Sequence, residues 1–256
     1  ITNLTTIKGT NDLTNLGFNK IFDYPKPIDL IQILLNPIIK GNDLILDFFS
    51  GSSTTAHAVM KLNSEDGGNR KFIMVQIPEL TDEKSEAFKA GYKNICEIGK
   101  ERIRRVGEKI RNDNPLTTHD LDTGFRVFKL DDTNMKDVYY SADEYDQGML
   151  KGLESNIKED RTDLDLLFGC LLEWGLPLSL PYTSEQIEGC TVHTYNDGDL
   201  IACFNENVPE SVVKTIAKRQ PLRAVFRDNS FINSPSKINV GEIFKLMAPD
   251  TRVKVI

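Results

Sequence analysis

Residues Asp47 to Thr55 read D-F-F-S-G-S-S-T-T, with His57 two positions beyond. The order is strand-like apolar residues, four small residues, then two threonines. That is how a strand stops in a tight turn and feeds directly into a helix. Such a turn leaves the first helical N–H groups without intrahelical acceptors and sets the positive end of the helix dipole at the strand's carboxyl end. A carboxylate or a phosphate is what that end attracts. Small side chains let the charged group come close to the backbone, and Thr54 is of a type that caps a helix start. A βα turn with no ligand is the alternative for these residues. The turn lacks the G-x-G-x-x-G of dinucleotide sites and the Gly-Lys of P-loops. Neither a nicotinamide cofactor nor a nucleoside triphosphate is therefore its expected ligand.

The elements around the turn follow from periodicity. Asp43–Phe49 is a short, nearly continuous apolar run, as expected of a central parallel strand buried on both faces. Residues 54–62 read as a helix with Ala56, Val59, Met60 and Leu62 inward. Lys71–Ile77 reads as a second buried strand, which completes a right-handed βαβ unit. Upstream, residues 1–23 are polar and weakly patterned and read as loop with short ordered pieces. Tyr24-Pro25-Lys26-Pro27 is a stiff extended entry, and residues 28–36 form a helix that Pro37 closes. Downstream, residues 82–112 read as one long helix with Phe88, Tyr92, Ile95, Ile103, Val106 and Ile110 inward. Its last third is a basic face of Lys100, Arg102, Arg104, Arg105, Lys109 and Arg111. Glu97, Glu101 and Glu108 stand at pairing distance along it, so a solvated, ion-paired face competes with contact to DNA phosphates.

A change of character near residue 120 suggests a second α/β domain. There, Gly124–Leu130 reads as a strand, 131–160 as charged and irregular, and Leu164–Trp174 as a helix with Trp174 in the core. Cys190–Tyr195 and Leu200–Phe204 form a hairpin about Asp197-Gly198. Residues 209–219 and 239–247 read as helices, and Leu222–Arg227 and Arg252–Ile256 as strands.

The 256 residues are 39% hydrophobic and 27% charged, enough apolar material for a real core. The formal net charge of −7 argues against a large nucleic-acid footprint on this chain. No window approaches the ~18 uninterrupted apolar residues of a membrane span. Cys96, Cys170, Cys190 and Cys203 form no C-x-x-C pair. They read as reduced thiols of a cytoplasmic protein without a metal site.

At this point the residues reach a resemblance. D-F-F-S-G-S-S-T-T-A-H resembles the D-x-F-x-G-x-G-T-T motif of amino-methylating DNA methyltransferases. Y-P-K-P-I-D-L-I, at Tyr24–Ile31, is similar to the K-P-x-x-L-I segment that precedes it when the cofactor motif follows the catalytic motif. G-G-N-R-K-F-I-M-V-Q-I-P-E, at Gly67–Glu79, is similar to the second-strand segment of modification subunits of Type III restriction–modification systems. The likeness continues through Ala90–Ile110, through D-T-G-F-R-V-F-K-L-D-D-T-N, and through P-L-R-A-V-F-R-D-N-S-F at Pro221–Phe231.

The resemblance implies a partial Rossmann-like, S-adenosylmethionine-dependent methyltransferase sheet in residues 1–120, and a C-terminal α/β domain in 121–256 used for subunit assembly. It implies methyl transfer to adenine N6 in DNA. The implied partners are DNA, the helicase–nuclease restriction subunit and a second copy in a homodimer, with no membrane. It places the cofactor among Asp47, Phe48, Phe49, Ser50, Gly51, Ser52, Ser53 and Thr54. Lys26 and Pro27 would be the opposite wall, and Gln76 would stand where relatives carry an acidic ribose acceptor, with Glu79 nearby. His57, in the helix after the turn, is assigned to packing or to the surface rather than to chemistry. Two departures stand out. Ser53 replaces the motif's last Gly, at a cost of about 1 kcal/mol if φ is positive there. The sequence also has no Pro-Pro and no Asp-Pro, so the D-P-P-Y-type motif that handles a flipped-out base is not in it. The expectation is a C-terminal portion of a longer subunit, inactive alone. The competing expectation is an assembly module whose cofactor binding has degraded.

Overall fold

The computed structural model describes residues 5–115, 118–136 and 156–256. The chain divides into two compact units, Ile1–Arg126 and Val127–Ile256. Both mix α and β structure.

In the first unit, α1 (Thr6–Thr14) lies in the stretch expected to be loop with short ordered pieces. Its sequence is polar, and packing rather than pattern holds it: Leu13 joins Leu16 and Phe18 in the core. Helix α2 (Ile28–Leu35) follows the double-proline entry, with Pro27 as its N-cap. Strand β1 (Leu44–Asp47) pairs in parallel with β2 (Lys71–Met74), in the register Leu44↔Lys71 to Asp47↔Met74. Between them runs α3 (Thr54–Asp66), which buries Ala56, Val59, Met60 and Leu62 as its pattern predicts. The far end of α3 is tied to the start of β2: the Asn63 side chain donates to Arg70 O at 2.9 Å and accepts from Arg70 N–H at 3.1 Å.

Two expectations need correction here. The strands are shorter than expected and are buried on one face, not two. Phe72 and Met74 turn toward the core of α1, α3 and α5, whereas Leu44, Leu46 and Ile73 are 60%, 48% and 46% exposed. Alternation along a strand sends these side chains to opposite faces, and among the described residues only one face is covered. The long helix over 82–112 is broken. A single turn, α4 (Glu86–Lys89), ends before Gly91 at φ +93°. Helix α5 (Ile95–Asp113) then starts afresh, with the Asn94 side chain accepting from Glu97 N–H. The glycine at positive φ and the Asn cap outweigh the apolar period across residues 90–94.

The second unit is a five-stranded mixed sheet in sequential order. Strands β3 (Tyr182–Ile187), β4 (Cys190–Tyr195) and β5 (Leu200–Cys203) are antiparallel. Strands β5, β6 (Arg223–Phe226) and β7 (Arg252–Val255) are parallel. Helix α6 (Asp163–Glu173) covers one face, against Leu200, Ala202, Phe204 and Val225. Helices α7 (Glu210–Lys218) and α8 (Ser234–Met247) cover the other, against Ile201, Cys203, Ala224 and Phe226. Every residue of β5 is therefore buried. Trp174 packs against the α6 face, half-buried. Burial pushes the Cys170 thiol up to about 11 and the Cys203 thiol up to about 12; all four cysteines are free.

Gly124–Leu130, expected as a strand, makes no ladder with any described residue. Helix α8 begins five residues before the expected start, because Asn233 caps it and Pro235 sits in its first turn. Strand β3 carries no apolar run, and its edge position explains why alternation fails there: it pairs through the Glu188-Gly189 turn, both residues at positive φ. Part of the charged stretch 131–160 lies outside the described residues.

Candidate functional site

The turn after β1 is built by its own backbone. Ser50 N–H donates to Val75 O at 3.2 Å, and Ser53 N–H to Ser50 O at 2.7 Å. Gly51 has φ +50° and Ser53 φ +58°, ψ +43°. A serine held in the left-handed region costs about 1–2 kcal/mol, so the surrounding structure must impose it. Ser53, not Thr54, is the N-cap of α3, and its side chain makes no capping bond. Thr54 has become the first helical residue. The opening of α3 thus has no side-chain cap, and Ser50, Ser52, Ser53 and Thr54 around it are buried.

Two side chains fasten this turn to the sheet. Asp47, at the end of β1, accepts from Thr55 Oγ1 at 2.6 Å and from Phe49 N–H at 3.2 Å. Gln76, just past β2, accepts from Gly51 N–H at 2.8 Å through Oε1 and donates to Ile77 O at 3.1 Å through Nε2. Gln76 thereby touches the turn directly, with both ends of its amide engaged. Phe48 and Phe49 project outward, 64% and 81% exposed, and Glu79 is exposed beyond β2. Lys26 is exposed and Pro27 buried at the head of α2. That helix packs against α3 and is held to α1 by Ile28 N–H donating to Asp12 Oδ2 at 2.9 Å. The Phe22 ring stands 3.5 Å from where a Gly51 side chain would begin.

Behind the turn lies a group that the sequence pattern misplaced. Arg102 of α5, counted above in the solvated basic face, is fully buried. Its Nη1 donates to Thr54 Oγ1 at 2.7 Å, Ser52 Oγ at 2.9 Å and Ser52 O at 3.3 Å, and its Nε points at His57 Nδ1 at 3.4 Å. Burial, then the Arg102 charge and Lys61, hold the His57 imidazole down at about 3. Burial lowers the Arg102 guanidinium to about 10, with Asp12 opposing. At neutral pH the imidazole is uncharged and the guanidinium charged. The helices also meet closely: a side chain at Gly99 would begin 2.6 Å from Ser53 Oγ.

Lys100, Arg104, Arg105 and Lys109 of α5 do form ion pairs. Lys100 meets Glu97 at 2.6 Å, Arg105 meets Glu101 at 2.9 Å, and Lys109 meets Asp113 at 3.0 Å. In the second unit, Ser184 Oγ lies 2.8 Å from His193 Nδ1, and Asp163 Oδ2 lies 3.4 Å from His193 Nε2. That line of side chains joins the β3–β4 pair to the first residue of α6.

Comparison with known proteins gives a family match and several relatives. Residues 3–101 match the family model for DNA methylase. The chain is 45% identical over 122 residues to the Type III restriction-modification enzyme StyLTI Mod subunit of Salmonella typhimurium strain LT2, covering 48% of this chain and 18% of that protein. It is 41% identical over 134 residues to the EcoPI Mod subunit of Escherichia phage P1, covering 51% of this chain and 20% of that protein. It is 40% identical over 103 residues to the Type II methyltransferase M.KpnI of Klebsiella pneumoniae, covering 40% and 25%. The chain spans about a fifth to a quarter of the length of these relatives. Residues 3–101 are thus similar to the DNA methylase family, and about half of the chain is similar to the Mod subunits of Type III restriction–modification enzymes.

Proposed function

We propose that the turn Ser50–Ser53 and the head of α3 form an S-adenosylmethionine site, in a DNA adenine-N6 methyltransferase of a Type III restriction–modification system. The uncapped start of α3, directly beyond β1, carries this reading. It offers N–H donors and a positive dipole end, which suit the carboxylate of an amino-acid ligand. The cofactor, when bound, supplies an electrophilic methyl group. The residues of this chain bind and orient it. Asp47 and Gln76 hold the turn from both sides, buried Ser52 and Thr54 keep the approach small, and exposed Phe49 offers a ring face to a base. Lys26 and Pro27 form the far wall. The Mod relatives make DNA and a restriction subunit the proposed partners, in the cytoplasm, and a homodimer the proposed assembly.

The 256 residues hold no Asp-Pro or Pro-Pro for the base-handling step. We expect the purified chain to transfer no methyl group to DNA; any transfer would refute that. Calorimetric titration with S-adenosylmethionine tests the site itself. Saturable binding that Gly51→Asp abolishes supports it, and no heat at millimolar cofactor contradicts it. One observation favours a second reading, an assembly module without a cofactor: the Gln76 side chain already occupies the Gly51 N–H. A chain that binds no cofactor but self-associates would be that module.

A further inference from the structure

A fully buried guanidinium is costly unless something compensates its charge. Every hydrogen-bond acceptor of Arg102 among the described residues is neutral: the Ser52 carbonyl, the Ser52 and Thr54 hydroxyls, and an imidazole held in its uncharged form. No carboxylate lies within 4 Å of it among the described residues. The Asp12 carboxylate acts from further away and is itself engaged by Ile28 N–H. The hydrogen bonds are satisfied, then, while the charge is left without a close counter-ion. Its two hydroxyl partners come from the same turn whose N–H groups open α3. The positive potential of the guanidinium therefore adds to that of the helix end, at the place where an anionic group would sit.

We propose that Arg102 is the buried counter-charge for the carboxylate of the amino-acid end of the ligand, a positioning residue that acts through Ser52 and Thr54 without touching the ligand. This rests on the turn being a cofactor site. It explains why an arginine stands on the inward stripe of α5, between Ile98 and Val106, where its neighbours at helical spacing are apolar. It also explains the neutral His57: a second cation beside the guanidinium would be repelled, and an uncharged ring nitrogen serves as an acceptor instead. Of the two groups, the arginine alone carries charge toward the turn.

The test compares two probes that share the nucleoside and differ at the amino-acid end. S-adenosylhomocysteine has the carboxylate and 5′-methylthioadenosine lacks it. Affinities for both are measured by calorimetry on the full chain, with Arg102→Gln and Arg102→Lys beside the wild type. Arg102→Gln is expected to weaken S-adenosylhomocysteine at least tenfold and methylthioadenosine less than threefold. Arg102→Lys, which keeps the charge, is expected to hold the preference within about threefold of wild type. A parallel loss for both probes in Arg102→Gln would make the residue a structural brace only and overturn the proposal. If Arg102→Gln does not fold, Arg102→Lys decides: loss of the preference in a folded lysine variant overturns it. A wild type that binds neither probe removes the cofactor reading, and this assignment with it.

Discussion

The amide oxygen of Gln76 stands 2.8 Å from the backbone nitrogen of Gly51 and accepts its proton. This bond joins the end of one parallel strand to the turn that follows the other, so the turn is shaped by β2 as much as by β1. Gln76→Ala removes the acceptor and leaves the Gly51 N–H to water, at an expected cost of about 1 kcal/mol. Cofactor affinity should fall several-fold, while Gln76→Glu, which keeps an acceptor oxygen at the same reach, should stay near wild type. Equal affinity in the alanine variant would show that the turn holds its shape without Gln76.

Gly99 and Ser53 can be tested as a pair. A methyl group at Gly99 would meet Ser53 Oγ at 2.6 Å, so Gly99→Ala should destabilise the first unit by about 1–3 kcal/mol. Ser53→Gly removes both the colliding hydroxyl and the left-handed strain, and should stabilise by about 0.5–1 kcal/mol. The double variant should then cost less than the sum of the single effects predicts. Strict additivity would show that the two residues do not meet.

His57 links pH to the stability of α3. Its folded value near 3 lies below the ordinary 6.5, so as pH falls from about 6.5 the unfolded chain takes up a proton that the folded chain refuses. The stabilisation is complete above pH 6.5 and is lost progressively down to about pH 3, at no more than about 1.4 kcal/mol per unit. Hydrogen exchange of α3 amides between pH 7 and pH 4.5, corrected for intrinsic rates, should show this decline. His57→Gln should lack it. An identical decline in both proteins would assign the effect to other groups.

In the second unit, His193 is buried between Ser184 and Asp163. His193→Ala leaves a cavity beside Phe204 and frees both partners, for an expected loss of about 1–3 kcal/mol. Trp174, the one tryptophan of the chain, packs against the same core cluster that contains Phe204. Its fluorescence should therefore report an earlier denaturant midpoint. An unchanged midpoint would show that the His193 bonds contribute nothing net.

Much of the architecture was legible because pattern and packing agree. The helix after β1, the β4–β5 hairpin and the all-apolar β5 follow from periodicity and turn chemistry. Helix α1 was not legible: it is polar and held by three buried side chains beyond and within it. Strand β3 was hidden because an edge strand has no need of apolar alternation. At the site, the turn and its small residues could be read locally, but the groups that brace it come from 25 to 50 residues away. Arg102 was absorbed into a charge run by composition. Its spacing told otherwise, four residues after Ile98 and four before Val106, on the buried stripe of α5. Ser53 shows the converse: its departure from glycine was visible in sequence, but its left-handed backbone was not.

The most direct test of the account is where S-adenosylmethionine acts on the chain. Amide exchange with and without saturating cofactor should show protection centred on Ser52 to Ala56, together with Gly51, and little change in Val127–Ile256. Absence of any protection, or protection confined to residues outside the turn and α3, would contradict the assignment of this turn as the cofactor site.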